Sequence, residues 1–298
     1  MKTFSHYEQK YPHEMSTGND RELLKQATTN SPMKKKVAVI GLDGARPDCI
    51  RVAKAPHIQQ LAQEGYFSWN AQTEFQTISG AAWTALLTGV HSDKHHVFDN
   101  NFDHRDMQYE TIFKIAKSHN PDLKAVAHSH WKPIITHIFE KKVLDIQSSG
   151  GDKKMAFRLV KDIEKDKGDL YFLQLDDIDG AGHHHTYHPE SKGYLEAIEL
   201  ADQYVGQILA AIKKRPQDEE WLIILVSDHG GSVNGHGPAI PDCLNVILIF
   251  AGTPVKAKGE IPHDFDQEIF PELVDVVPTI AKFLEISPKE YWDGKPRI

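Results

Sequence analysis

The chain has 298 residues and a formal net charge of -8, and 40% of its residues are hydrophobic. That length and composition suit a soluble chain with one large α/β domain or two modest ones. The negative charge, with no basic stripe, argues against a nucleic-acid partner, and no apolar run is long enough to span a bilayer. Two cysteines provide no disulfide framework and fit a reducing compartment.

The first 32 residues are polar and lack the apolar core of a secretory signal. We expect residues 1–32 to form an N-terminal extension with a short surface helix at 20–27. Residues 33–298 are expected to form a single domain, and the absence of a signal predicts a cytoplasmic protein.

Short apolar runs alternate with helical patterns along the rest of the chain. Strands are predicted at 37–42, 123–127, 170–175, 222–226 and 246–250. Helices are predicted at 56–65, 81–87, 109–119, 155–167, 194–214 and 275–284. This alternation predicts an α/β fold whose largely parallel sheet is covered on both faces.

Acidic residues and histidines follow three of the predicted strands. Asp43 follows the first, Asp179 and His183 lie in a Gly-rich predicted loop, and Ser227-Asp228-His229 is followed by a distal His236. Because open α/β sheets place their chemistry beyond the carboxyl ends of the strands, these oxygen and nitrogen donors could meet at a zinc site. The alternatives are a turn for Asp43, a helix cap for Asp228 and a solvated loop around His183.

Ser79 stands just before the predicted helix at 81–87. A serine there is either an N-cap or a nucleophile that faces the positive end of the helix.

Taken together and in this order, these motifs resemble the alkaline phosphatase superfamily, specifically its type I phosphodiesterase/nucleotide pyrophosphatase branch. The matching segments are GLDGARPD at 41–48, SGAAWTALLTGVHSDKHHV at 79–97, DGAGH at 179–183, SDHGG at 227–231, GHG at 235–237, DVVPTIAKFLEI at 275–286 and WDGKP at 292–296. The family often carries Pro where this chain has Ala81, and usually Gly where it has His96. The resemblance implies an alkaline-phosphatase-like α/β/α sandwich, with residues 33–298 as the catalytic domain.

The resemblance also implies a role for each site residue. Two divalent cations are expected, and ligands without thiolate suit Zn²⁺, with Mn²⁺ or Fe as alternatives. Ser79 is the implied nucleophile, which forms a phosphoseryl intermediate, and Asn100 is expected to hold a phosphoryl oxygen. The implied ligands are Asp43, Ser79, Asp228 and His229 for one cation, and Asp179, His183 and His236 for the other.

The expected substrate is a small-molecule phosphate ester, and a phosphodiester or nucleotide pyrophosphate is favoured. A phosphomonoester stays open because Arg46 and Lys132 could reach a terminal phosphate, and phosphonate hydrolysis stays open as well. Trp83 and Trp131 could stack on a nucleobase, although core packing is the favoured role. A sulfatase is disfavoured because Ser79 lacks the following Pro and Arg of that motif. A catalytically silent metal-binding scaffold is the alternative from another class, and the oligomeric state is left open.

Overall fold

We describe the protein from a computed structural model, which covers residues 33–106, 108–264, 266 and 270–298. Eight strands within these residues form one sheet, in the spatial order β4-β3-β5-β1-β6-β7-β2-β8. Their bounds are Lys34–Leu42 (β1), Tyr66–Gln72 (β2), Ala125–Ser129 (β3), Ile146–Ser149 (β4), Leu170–Leu175 (β5), Glu219–Val226 (β6), Asn245–Gly252 (β7) and Gly259–Glu260 (β8).

Helices pack on both faces of this sheet. Their bounds are Pro47–Val52 (α1), Pro56–Glu64 (α2), Ser79–Thr88 (α3), Ser92–His95 (α4), Ile112–His119 (α5), Asp152–Glu164 (α6), Asp177–His185 (α7), Lys192–Lys213 (α8), Pro241–Leu244 (α9) and Val276–Phe283 (α10). A π-helical segment spans Ile134–Ile138, and a 3-10 turn at Leu273–Asp275 leads into α10. None of the helices in the described part of the chain is long and apolar enough to cross a membrane.

The two faces of β1 pack into two separate hydrophobic cores. Val37 and Val39 join the core that contains α3, α5 and α10, whereas Ala38 and Ile40 join the core of α2, α6 and α8. Successive side chains of a strand point to opposite faces, so a strand that is buried on both sides is apolar throughout. This arrangement confirms the predicted α/β class and the three-layer sandwich.

The sheet is mixed rather than uniformly parallel. β1, β5, β3 and β4 pair in parallel, but β7 runs antiparallel to both of its neighbours, β6 and β2. The predicted strands all overlap observed ones, while β2, β4 and β8 had no clear pattern in the sequence. The helix predicted at 20–27 lies outside the described residues.

One prediction about local structure is wrong. The segment with Asp179 and His183, predicted to be a Gly-rich loop, is the helix α7. Residues four apart on a helix lie on the same face, so the helix itself brings the carboxylate and the imidazole together. Helix α3 also starts two residues earlier than predicted, and Ser79 is its first residue.

His96, where the family usually carries Gly, has φ 56° at the C-terminal cap of α4. The histidine thus adopts the left-handed conformation that a glycine would adopt easily there.

Candidate metal centre and nucleophile

Two buried carboxylates meet one buried imidazole beyond the ends of β1 and β6. Asp43 Oδ1 and Asp228 Oδ2 each lie 3.4 Å from Nε2 of His229. All three side chains are almost completely shielded from solvent. Neither carboxylate oxygen has a hydrogen-bond partner among the described residues, although a buried polar atom usually has one.

The other oxygen of each carboxylate is held firmly. Asp43 Oδ2 accepts hydrogen bonds from Trp83 Nε1 and Gln174 Nε2, both at 2.9 Å. Asp228 Oδ1 accepts the backbone N–H of Gly44 at 3.0 Å and that of His229 at 2.9 Å. These bonds fix each carboxylate so that its unpaired oxygen faces the centre of the site.

Two histidines are oriented by backbone carbonyls. Nδ1 of His229 donates to the carbonyl of Gly230 at 2.7 Å, and Nδ1 of His236 donates to the carbonyl of Thr77 at 2.6 Å. A proton on Nδ1 leaves Nε2 with a free lone pair, which is the usual arrangement of a metal-bound histidine. The two rings stack with centroids 3.9 Å apart, so both Nε2 atoms belong to the same site.

Asp179 and His183 on α7 complete the second half of the site. Nε2 of His183 lies 3.3 Å from Asp179 Oδ2 and 3.2 Å from Nε2 of His236. Asp179 Oδ1 accepts a hydrogen bond from the hydroxyl of Tyr187 at 2.5 Å. Tyr187 thus orients this carboxylate, as Trp83 and Gln174 orient Asp43.

Burial and like charge shift the ionisation of these groups. Burial raises the pKa of Asp43, and the nearby charges of Asp228 and Asp179 raise it further. Burial also raises the pKa of Asp228 to about 7, and it lowers the pKa values of His229 and His236. In the protein alone, the site therefore disfavours two ionised carboxylates, whereas a cation would favour both.

The donor set fits divalent cations. Asp43, Asp228 and His229 form one group whose ligand atoms lie within 4.8 Å of one another, and Asp179, His229 and His236 form another. His229 is common to both groups, and His183 adjoins the second. Unpaired carboxylate oxygens and inward-facing Nε2 atoms, with no thiolate, are the donors that zinc accepts. All the ligands predicted from the sequence thus come together, and their roles as ligands stay predictions.

Ser79 lies beside this cluster at the N-terminus of α3. Its Oγ is 3.3 Å from Nε2 of His229, and its side chain retains a small exposed fraction of 8%. The N-terminus of a ten-residue helix carries unpaired N–H groups and a partial positive charge, which favour an anion. Ser79 is therefore placed where an oxyanion or a phosphate would be stabilised.

Asn100 lies against the same helix terminus. Its Oδ1 accepts the backbone N–H of Gly80 at 2.8 Å, and its Nδ2 makes no hydrogen bond to the described residues. A Cβ on Gly80 would overlap with the carbonyl oxygen of Asp99, so only glycine lets the 99–100 segment approach so closely.

A third acidic and histidine group lies apart from these two. His130, Asp152 and Asp177 are close enough to share an ion, but Asp152 is already fully engaged. Its Oδ1 accepts from the backbone N–H of Asp176 and from His130, and its Oδ2 accepts from the backbone N–H of Asp177. This group therefore caps the N-terminus of α7.

Sequence reasoning missed the residues that orient the ligands. Only Gln174 has a feature in the sequence that indicates such a role, because it is a single amide in the otherwise apolar strand β5. Trp83 is fully buried against Asp43 and is not available for a nucleobase. The Arg46 guanidinium is bound to Asp48, Asp242 and two carbonyls, so it is not free to bind a terminal phosphate.

Comparison with known families finds one match over most of the chain. The family model described as type I phosphodiesterase/nucleotide pyrophosphatase matches residues 37–143 and 138–261, more than half of the sequence. A sequence relative is the bovine ectonucleotide pyrophosphatase/phosphodiesterase family member 3, 23% identical over 223 residues. The match covers 65% of this chain and 24% of the bovine protein, so the chain spans about a quarter of that relative.

Two solved structures share the fold. Murine ectonucleotide pyrophosphatase/phosphodiesterase 5 in complex with AMP superposes with a TM-score of 0.69 at 13% identity, covering 86% of this chain and 96% of the murine chain. A 2-O GAG sulfatase superposes with a TM-score of 0.70 at 13% identity, covering 88% of this chain and 73% of the sulfatase. At such low identity the likeness is one of fold.

Proposed function

Since this chain belongs to the type I phosphodiesterase/nucleotide pyrophosphatase family of the alkaline phosphatase superfamily, we propose that it hydrolyses phosphodiester or nucleotide pyrophosphate bonds with Ser79 as the nucleophile. The observation that carries the proposal is the position of Ser79. Its Oγ lies at a helix N-terminus, 3.3 Å from the imidazole nitrogen that also faces both unpaired carboxylate oxygens.

Two divalent cations held by the seven predicted ligands would lower the pKa of the Ser79 hydroxyl and neutralise the charge that develops on the phosphoryl oxygens. The remaining work falls to the chain itself. Asp43, Asp179, Asp228 and the three histidines supply fixed donors, and the N-terminus of helix α3 offers its partial positive charge and its N–H groups other than that of Gly80 to the phosphoryl group. Asn100 donates from Nδ2 to a phosphoryl oxygen while its Oδ1 stays bound to Gly80.

The reaction takes place in two displacements at phosphorus. Ser79 loses its proton to solvent, its Oγ bonds to phosphorus, and the bond from phosphorus to the leaving oxygen breaks with its electron pair. The leaving group takes a proton from water. A second water molecule then attacks the phosphoserine, which restores the Ser79 hydroxyl and releases the phosphate product.

The preference for a diester rests on the residues around the phosphate. Asn100 provides neutral donors, which suit a phosphoryl group with a single negative charge. Arg46, the basic residue nearest to Asp43 in sequence, is held by Asp48 and Asp242 and cannot clamp a doubly charged terminal phosphate. These observations support diester over monoester cleavage.

The test joins metal analysis to paired substrates. We expect the purified protein to bind about two Zn²⁺ or Mn²⁺ ions per chain and to hydrolyse bis-p-nitrophenyl phosphate faster than p-nitrophenyl phosphate. Ser79→Ala should lower turnover roughly 10³-fold or more while it keeps its metal, whereas Ser79→Thr, which keeps a hydroxyl, should retain part of the activity. Faster monoester cleavage would overturn the substrate class, and an active Ser79→Ala variant would overturn the nucleophile. A chain without metal and without turnover would be a silent scaffold.

A further inference from the structure

We propose that Gln174 is a positioning residue that couples the cation site at Asp43 to the helix carrying Asp179 and His183. The inference rests on the proposed function, because it concerns the residues that would hold the two cations. Its basis is a hydrogen-bond network around one buried amide between β1, β3, β5 and α7.

Gln174 uses its whole hydrogen-bonding capacity inside the protein. It lies on β5 with no exposed surface. Its Nε2 donates to Asp43 Oδ2 at 2.9 Å and to Asp176 Oδ1 at 2.8 Å. Its Oε1 accepts the backbone N–H of Trp131 at 2.8 Å and lies 2.8 Å from Ser129 Oγ, whose single proton it shares with the carbonyl of Trp131. A buried amide whose donors and acceptor all have partners is satisfied and therefore rigid.

The partners leave only one orientation for this amide. The backbone N–H of Trp131 can only donate, so it must face Oε1. The two donors of Nε2 then point at the carboxylates of Asp43 and Asp176. The amide thus lies between two acidic groups and offers each of them one N–H.

On the Asp43 side, this bond decides which oxygen faces the cation site. Gln174 and Trp83 both donate to Oδ2, and neither of these groups can accept a hydrogen bond. Oδ1 has no hydrogen-bond partner in the part of the chain that the structure describes, and it lies 3.4 Å from His229 Nε2. If Gln174 were lost, Trp83 alone would hold the carboxylate, which could then rotate away from the cation.

On the other side, the bond fixes the start of α7. Asp176 is the residue immediately before that helix, and its backbone N–H is held by Asp152. Gln174 binds the side chain of Asp176 while Asp152 binds the backbone, so the first turn is fixed at two points. Asp179 lies in this first turn and His183 one turn further on. Gln174 is the group that binds both Asp43 and Asp176, so it links the position of the two helix residues to the carboxylate of Asp43.

The loss of cation affinity expected on replacing Gln174 is the loss seen for other groups that orient metal ligands. Loss of such a partner typically lowers metal affinity or activity by about 10–100-fold, although the ligands themselves are unchanged. A purely structural role for Gln174 would instead lower the stability of the fold without a selective effect on cation affinity.

The decisive variant is Gln174→Met, which has a similar length and removes both donors without adding a charge beside Asp43 and Asp176. Gln174→Leu, which is smaller and also lacks polar atoms, is the second variant if the first does not fold. The control is Ser129→Ala, which removes a hydrogen bond on the acceptor side of Gln174 and leaves both carboxylate contacts in place.

The measurement is the dissociation constant for Zn²⁺ and for Mn²⁺, obtained by chelator competition, together with the melting temperature of the metal-free protein. We expect the Gln174 variants to bind cation about 10–100-fold more weakly, and Ser129→Ala to change the affinity by less than about threefold. Unchanged affinity in a folded Gln174 variant, or an equal loss in Ser129→Ala, would overturn the inference. A wild-type protein that binds no cation would instead overturn the proposed function.

Discussion

Asp43 and Asp228 direct their unpaired carboxylate oxygens at the same atom, Nε2 of His229, at 3.4 Å each. The two residues follow different strands, β1 and β6, which are neighbours in the sheet. Two buried carboxylates facing one neutral imidazole are unfavourable in the protein alone, because each disfavours the ionised form of the other. This arrangement therefore lowers the stability of the protein alone, and a cation held between the two carboxylates would offset that cost.

Replacing Asp228 with Asn should have opposite effects on stability and on binding. The amide keeps Oδ1 for the N–H groups of Gly44 and His229, and it removes one of the two buried negative charges that disfavour each other. We expect the metal-free protein to gain about 1 kcal/mol in free energy of unfolding, while cation affinity falls at least about 10-fold. Urea denaturation of the metal-free protein and chelator competition measure the two effects.

Asp202→Asn is the control for that variant. Asp202 is equally buried, but its two oxygens accept the N–H groups of Ile58 and His57 at the start of α2. Loss of one acceptor there should lower the free energy of unfolding by about 1 kcal/mol and leave cation binding unchanged. If Asp228→Asn destabilised the metal-free protein as Asp202→Asn does, the prediction that the Asp228 carboxylate lowers stability in the absence of a cation would be wrong.

Asn100→Asp should impair turnover without changing the fold. The new carboxylate can still accept the N–H of Gly80, but it replaces the Nδ2 donors with a negative charge that faces the phosphoryl group. We expect kcat/KM for a diester to fall about 10²–10³-fold, as when an oxyanion donor is lost. Asn101→Asp, one residue further along the same exposed segment, adds the same charge and loses the hydrogen bond from Nδ2 to Asp99 Oδ2, but it should still change kcat/KM less than about threefold. Equal effects of both variants would point to net charge rather than to a contact with substrate.

The proximity of three proposed ligands could be predicted from the sequence because each sits in a short motif directly after an apolar run. Asp43, Asp228 and His229 follow strands whose burial is visible as unbroken apolar character. Because strand ends meet at one edge of the sheet, their proximity follows from the order of elements. The resemblance then assigned roles that the pattern alone left open, and the family match confirms that resemblance.

The residues that hold the ligands could not be predicted, since their contacts are set by tertiary structure. Trp83 and Gln174 bind the same oxygen of Asp43 from elements distant in sequence. The sequence predicts a loop in place of helix α7 because Gly180 and Gly182 lower the helical propensity of this segment. Asp152, which lies on α6, offsets that cost by capping the first turn. The antiparallel direction of β7 is likewise absent from its apolar pattern.

Gly80→Ala should separate Asn100 from Ser79. The added Cβ would overlap with the carbonyl oxygen of Asp99 and lie 2.9 Å from Asn100 Oδ1, so the 99–100 segment must move. A displacement of about 1 Å at a contacting residue can lower the rate by about 10²-fold, and we expect a loss of that order in kcat/KM.

Gly180→Ala is the matched control, because a Cβ at Gly180 would meet no described atom within 4 Å beyond its chain neighbours and the backbone of α7. It should leave turnover unchanged and raise the free energy of unfolding by about 0.5–1 kcal/mol through better helical propensity in α7. Kinetics with a diester substrate and urea denaturation of both variants measure the predicted changes in turnover and in free energy of unfolding. Full activity in Gly80→Ala would show that this close approach has no role in catalysis.

The pair of Glu74 and His91 should make stability depend on pH. Glu74 is buried on the segment that leads to Ser79, and its Oε1 lies 2.8 Å from Nδ1 of His91. Burial by itself would lower the pKa of His91, but the hydrogen bond and charge of Glu74, with Glu272 and Asp293, raise it to about 9. Since the folded pKa exceeds the value of 6.5 for the free side chain, the stabilisation is complete below pH 6.5 and is lost as the pH rises through about 9.

His91→Gln removes the titrating group but keeps a donor for Glu74. We therefore expect the free energy of unfolding of the wild-type protein, measured relative to that of His91→Gln, to fall as the pH rises from about 6 to about 10. Urea denaturation of the two metal-free proteins across this pH range measures the difference between their free energies of unfolding. The titrations of groups that both proteins share cancel in this difference. If the difference in free energy of unfolding between the two proteins stayed constant with pH, His91 would be neutral in the folded protein. Its contact with Glu74 would then be a neutral hydrogen bond and not an ion pair.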